Sequence, residues 1–254
     1  MSALLVAVII LVCVFGGALA GMALRRVLPA PHLSEESKDV VRLATGLVAT
    51  MAALVLGLLV ASAKSSYDTQ RDGLDEIAAN VTLLDTVLAQ YGPQAQDVRQ
   101  GLRRVVAGAM ARLWPTDGSQ TPTLGGPETT AGGKLLHAEI LALVPATDAQ
   151  RALQGQALQI GSNLARVRLL LIAQHQSTVI SGVFLVILTF WLVVLFASFG
   201  LFAPRNATVL AALLISALSV AGAIFLILEL DQPFEGLIQI SDAPLRNAFV
   251  DLGK

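Results

Sequence analysis

Charge is what this chain has least of. Only 14% of its 254 residues are Asp, Glu, Lys or Arg, where a soluble domain carries about 25%. Aromatic residues are also scarce, at 5%. The net charge of −1 removes any general electrostatic case for binding nucleic acid. The single cysteine, Cys13, admits no intramolecular disulfide and leaves the redox compartment open. The three histidines, His32, His137 and His175, fall on different segments and give no metal-ligand spacing. There is no Gly-rich phosphate loop with a Lys and no recognisable nucleophile turn. The expectation is a non-enzyme with no metal and no cofactor.

What the chain has in excess is apolar length. Hydrophobic residues make up 55% of it and the mean hydropathy is +0.70. A membrane-spanning helix needs about 20 mostly apolar residues. Four stretches qualify: Ala3–Leu24, Val41–Ala63, Val179–Ala203 and Ala207–Leu228. Their only ionisable side chains are Cys13 and, at one edge, Arg42. Acids and bases inside a bilayer mark proton relays and coupled transport, so their absence argues against a proton-coupled pump. The first stretch contains a signal-cleavage-like Ala18-Leu19-Ala20. A signal peptide needs a basic leader, however, and here the basic pair Arg25-Arg26 follows the apolar run. That order favours an uncleaved helix.

The layout is all-α: two spans, an insert, two more spans, with helices 2 and 3 extended into an extramembrane helical bundle. The expected divisions are 1–63 (membrane helices 1 and 2), 64–178 (extramembrane helical domain), 179–228 (membrane helices 3 and 4) and 229–254 (an amphipathic tail). Apolar helix two passes into Lys64-Ser65-Ser66 without a breaker, and Leu74, Ile77, Val81, Leu84, Leu88 and Tyr91 then alternate spacings of three and four. That is a coiled-coil seam period. Gly92-Pro93 ends it, as a breaker pair does. A second helix follows to Trp114-Pro115, then a Gly/Thr/Pro-rich flexible loop over 116–133, a short helix around Leu135–Val144, and a helix capped by Thr147 that could run straight into the third span. Each long helix would reach roughly 75–85 Å at 1.5 Å per residue. The seams serve either an intramolecular bundle or contacts between subunits.

Arg25, Arg26, Lys38 and Arg205 lie in the two short loops on one side of the membrane. Short basic loops mark the cytoplasmic side. Both termini and the insert would then be external.

Three constellations stand out. Gly17 and Gly21 match the small-xxx-small pattern of close helix packing, within the chain or between subunits. Gly46, Thr50, Ala53, Gly57 and Ala61 form one face of helix two, with Lys64 near the same line. Small residues on one face admit another helix or leave room for a water-filled lumen, and Thr50 could offer a hydroxyl to an ion. The tail opens on Glu229, Asp231, Pro233, Phe234, Glu235 and Gly236. Its three carboxylates serve either a cation-attracting pore mouth or a polar helix cap.

Two passages carry a family resemblance. One is Ser37 through GLVATMAALVLGLLVASAKSSYD (Gly46–Asp68). The other is LELDQPFEGLIQIS continuing to APLRNAF (Leu228–Phe249), whose Asp-x-Pro-Phe-x-Gly element is the most specific piece. With the two-plus-two layout, they resemble the bacterial bestrophin-like membrane proteins. The resemblance implies kinship with bestrophins, oligomeric anion channels with four membrane helices per subunit, whose termini and large domain lie in the cytosol. That orientation is opposite to the one the basic loops give, and the charge-based one is kept as the expectation. Helix two lacks the aromatic pore neck of bestrophins, which leaves anion selectivity unsupported. The expectation is an oligomeric ion channel lined by helix two. The alternative is a non-conducting scaffold or sensor signalling through its long helices. Expected partners are the lipid bilayer, further copies of the chain and inorganic ions, but not nucleic acid.

Overall fold

A computed structural model describes residues 2–29, 34–115, 127–176, 182–234 and 236–253. The described residues form eight α-helices and no strand: α1 (Ala3–Leu24), α2 (Glu35–Tyr91), α3 (Gln96–Leu113), α4 (Pro127–Ala142), α5 (Asp148–Gln176), α6 (Gly182–Phe202), α7 (Ala207–Leu230) and α8 (Ala243–Asp251). Four of them, α1, α2, α6 and α7, are long and apolar enough to cross a membrane. The protein is all-α with the expected four spans.

The longest element is α2, with 57 residues, about 85 Å of helix. It starts on Ser34, whose hydroxyl accepts the Ser37 N–H at 3.3 Å, with Glu35 and Glu36 in the first turn, where carboxylates favour the helix dipole. It stops at Gly92, whose φ of +113° a side chain would resist, followed by Pro93. Nothing between breaks the backbone ladder. The chain divides into two compact units, Met1–Ser66 with Val179–Gln232, and Tyr67–Thr178 with Pro233–Lys254, and α2 contributes residues to each.

In the first unit α1 packs along α6 and against α7. Glycine sets the α1–α6 spacing. A Cβ on Gly21 would fall 2.0 Å from the Ala197 carbonyl oxygen, one on Gly200 would fall 2.0 Å from that of Ala18, and one on Gly17 would fall 2.9 Å from that of Val193. Ile10, Val14, Ala18, Leu188, Leu192, Phe196 and Ile224 form the core between the helices. At one end of the unit Arg25 donates to the Ala203 carbonyl at 2.7 Å and Arg205 donates to the Met22 carbonyl. Asn206 caps α7 by accepting the Val209 N–H at 2.8 Å.

The second unit is a bundle of the remaining part of α2 with α3, α4, α5 and α8. The seam residues Val81, Leu84, Leu88 and Tyr91 join Val98, Leu102, Ile140, Ala157, Ile160, Leu245 and Leu252 in one core. At Gly73 the helices run so close that a Cβ would meet the Leu171 side chain at 2.7 Å. Thr147 caps α5 through the Gln150 N–H at 3.1 Å. Two glutamines of α5 then satisfy the ends of other helices. Gln150 donates to the Tyr91 carbonyl at 3.0 Å, and Gln154 donates to those of Ile140 and Leu143, both at 2.9 Å.

Several boundaries differ from expectation. Helix α4 starts at Pro127 and ends at Ala142, so helix replaces the C-terminal part of the loop expected over 116–133; its remainder, 116–126, lies outside the described residues. The junction of α5 with the third span, 177–181, also lies outside them. The fourth span reaches Leu230. The tail is helical only over Ala243–Asp251, with Pro244 in the first turn, where its missing N–H has no intrahelical partner to lose.

Candidate functional site

Within the membrane, α2 carries three stripes, each dictated by residue size. Val48, Ala52, Val55 and Leu59 pack against the first unit's core. Leu43, Leu47, Leu54 and Leu58 are all more than 60% exposed. Between these runs the small-residue stripe. Gly46, Thr50, Ala53, Gly57, Ala61 and Lys64 are all exposed, and a Cβ on Gly46 or Gly57 would meet nothing within 4 Å. Only 6% of this helix's apolar window is buried, against 33% for α1 and 22% for α6 and α7.

Thr50 donates its hydroxyl hydrogen to the Leu47 carbonyl at 2.8 Å, the usual back-bond of a hydroxyl on a helix. Its oxygen therefore presents lone pairs outward. The stripe carries no formal charge before Lys64.

Gly17 and Gly21 are buried. They form the contact with α6 described above.

The tail motif is divided. Glu229 is buried at 6% exposure, and Asp231 is the C-cap of α7. Pro233 and Phe234 are buried in the second unit, and Glu235 lies outside the described residues. There Phe234 packs with Leu74, Leu113 and Ile240 and meets the Trp114 ring edge-on, with centroids 6.4 Å apart. The Ile240 N–H returns to the Pro233 carbonyl at 2.9 Å, and Trp114 Nε1 donates to the Ile240 carbonyl at 3.0 Å. Gly236 turns the chain with φ +84°. The motif acts as a buckle that closes the tail on the end of α3.

Sequence reasoning missed what holds the rest of the tail. Arg99 of α3 makes a bidentate pair with Asp85 of α2, both bonds 2.8 Å long. The same carboxylate accepts the Gly253 N–H at 3.3 Å. Burial pushes the Asp85 carboxyl up, but the Arg99 and Gly253 hydrogen bonds and the Arg99 charge outweigh it and hold the group below its ordinary value. One residue-turn on, Arg103 donates to the Leu252 carbonyl at 3.0 Å and lies 4.9 Å over the Phe249 ring, a cation–π geometry. The available signal was an acid set among apolar seam positions, between Leu84 and Leu88.

Among the described residues no cluster of His, Cys, Asp and Glu could hold a metal. His137 is exposed.

Comparison with known proteins agrees with this architecture. The bestrophin-like domain family matches residues 12–245. No curated protein matches the sequence. Two crystal structures of point variants of a bacterial bestrophin homologue from Klebsiella pneumoniae superpose with TM-scores of 0.69 and 0.68, each at 14% identity. The first alignment covers 96% of this chain and 97% of the other, the second 97% of both. A crystal structure of a protein described only as a membrane protein aligns with a TM-score of 0.67 at 14% identity over 97% of both chains. The match over nearly the whole length places this chain in the bestrophin-like family of membrane proteins.

Proposed function

We propose that the protein is an oligomeric ion channel whose pore is lined by the small-residue stripe of α2. The observation that carries this reading is the state of that stripe. Five small residues over Gly46–Ala61 are exposed, and a Cβ on Gly46 or Gly57 would meet open space. At the α1–α6 contact, by contrast, Gly17, Gly21 and Gly200 are consumed by packing. An unfilled small-residue face on a membrane helix lets a partner helix approach or leaves room for water. Copies of α2 arranged around an axis supply both: the exposed leucine stripe meets the neighbouring subunit, and the small residues face the lumen. The bestrophin-like family membership supports the same class of assembly.

The lining also bears on selectivity. Thr50 turns lone pairs outward, and the stripe has no cationic side chain before Lys64. A lumen so lined favours cations over anions. Lys64 stands where the stripe leaves the membrane, and Asp231 and Glu229 stand at the end of α7. The basic loops holding Arg25, Arg26 and Arg205 support a cytoplasmic placement of that end of the first unit, with the termini and insert outside.

Gly57→Leu separates conduction from assembly. The purified variant should assemble as wild type by light scattering while its unitary current in planar bilayers falls to background. Loss of assembly with no wild-type current would instead support a packed, non-conducting scaffold.

A further inference from the structure

Beside the end of α1, the first unit contains a cavity of about 420 Å³ that the channel reading does not use. It is formed where α1 ends and α7 begins, and its lining has two halves by chemistry: polar in Arg26, Arg205 and Asn206, apolar in Leu19, Met22 and Leu210.

Chain position fixes the depth of each half. Arg26 lies two residues beyond the last residue of α1, and Arg205 two residues before the first residue of α7. Both therefore sit at the interface end of membrane-spanning helices. Leu19 lies seven residues back along α1 from Arg26, about 10 Å deeper, and Leu210 about 5 Å into α7. Leu19 and Leu210 are 43% and 39% exposed, as side chains facing acyl chains would be. The polar half is at headgroup level and the apolar half is at acyl level.

The polar half is also held in place. Arg205 is anchored on the Met22 carbonyl, and its neighbour Asn206 is fixed by the cap bond to Val209. Arg25 ties the same corner through Ala203. The Arg26 guanidinium, by contrast, makes no hydrogen bond or ion pair among the described residues, and no carboxylate lines the cavity. Two guanidiniums, one anchored and one uncommitted, over an apolar floor have the chemistry that recognises a phosphodiester attached to acyl chains. The volume lies in the range of small-molecule sites, about 300–1,000 Å³.

We infer that this cavity binds the headgroup of an anionic phospholipid, with the phosphate between Arg26 and Arg205 and the first acyl carbons against Leu19, Met22 and Leu210. Both arginines are needed because a phosphate held by one exposed guanidinium is weakly bound, whereas a second charge-assisted donor adds geometry as well as attraction.

The test is native mass spectrometry of the detergent-purified full-length protein titrated with phosphatidylglycerol, phosphatidylcholine or inorganic phosphate. Phosphatidylglycerol should bind saturably and phosphatidylcholine far more weakly. Arg26→Ala should weaken phosphatidylglycerol binding about tenfold, Arg26→Lys should restore part of it, and the exposed-arginine control Arg151→Ala should leave it unchanged. Circular dichroism of Arg26→Ala should match wild type, since the side chain holds no other group. Equal binding of the two lipids would overturn the inference, as would Arg26→Ala binding phosphatidylglycerol like wild type. Displacement of the lipid by millimolar inorganic phosphate would also overturn it, by showing that a free anion occupies the cavity.

Discussion

Replacing Asp85 with alanine should loosen the tail and destabilise the second unit. The carboxylate is 11% exposed and Arg99 12%, so the pair is largely desolvated. Removing one partner of such a pair leaves an uncompensated charge, at about 3–5 kcal/mol. The residual exposure lets water reach Arg99, and the lower end, about 3 kcal/mol, is the appropriate figure. The Gly253 N–H loses its acceptor as well. In a domain of 150–250 residues, each kcal/mol moves the thermal midpoint by about 2–4 °C, so Asp85→Ala should lower it by roughly 6–12 °C. Asp85→Asn keeps an acceptor and should lose less. The double variant Asp85→Leu/Arg99→Met should recover much of the loss, because apolar replacement of a buried pair is often neutral. The pH dependence follows from the depressed carboxyl pKa. The stabilisation is fully present above the ordinary value of 3.8 and disappears as pH falls through the lower folded value. The difference between wild type and Asp85→Ala should therefore be constant from neutral pH to about 5 and shrink only below about 4. Thermal unfolding by tryptophan fluorescence in detergent measures all of this. A midpoint for Asp85→Ala within about 2 °C of wild type would refute the reasoning.

Three further outcomes follow from packing. Gly200→Ala and Gly21→Ala place a Cβ 2.0 Å from a backbone oxygen; overpacking of this kind costs about 1–3 kcal/mol or more, and both should lower the thermal midpoint and the monodisperse yield on gel filtration. Gly16→Ala, with open space at its Cβ, should behave as wild type in the same assays. Phe234→Ala removes a buried ring and should cost about 3–5 kcal/mol; because Trp114 loses its edge-on partner, the fluorescence emission should shift to the red, with Trp191 as the only other emitter.

The architecture was legible because membrane helices and helical seams both announce themselves by pattern. The four apolar runs gave the spans, and the absence of any proline from Val41 to Tyr91 gave the unbroken α2. The seam Leu74, Val81, Leu84, Leu88 and Tyr91 is buried because its spacing keeps one face inward along the rod. The start of α4 was not legible. Pro127-Glu128-Thr129-Thr130-Ala131-Gly132-Gly133 has weak helix propensity, yet Gly132 lets the helix approach Val105, where a Cβ would come within 3.2 Å. Tertiary contact overrides local preference there. The sequence of the tail shows only a single amphipathic stretch because its partners lie far away in sequence. Phe234 answers to Trp114, and Gly253 to Asp85. No local period encodes such pairs, and the glutamine caps from α5 are equally long-range. The small-residue stripe of α2 was visible from spacing, but that it faces away from the other helices of its unit required the packing of Val48, Ala52, Val55 and Leu59 on the opposite side.

The most direct test of the account is a cysteine scan of α2 read by current. In a Cys13→Ser background, single cysteines replace each residue from Gly46 to Ala61 in turn, and a charged, water-soluble thiol reagent is added during bilayer recording. The account predicts a conducting protein that is blocked at Gly46, Thr50, Ala53, Gly57 and Ala61 and unaffected at Val48, Ala52, Val55 and Leu59. Block confined to the second set, block without helical period, or no current under any ionic condition would contradict it.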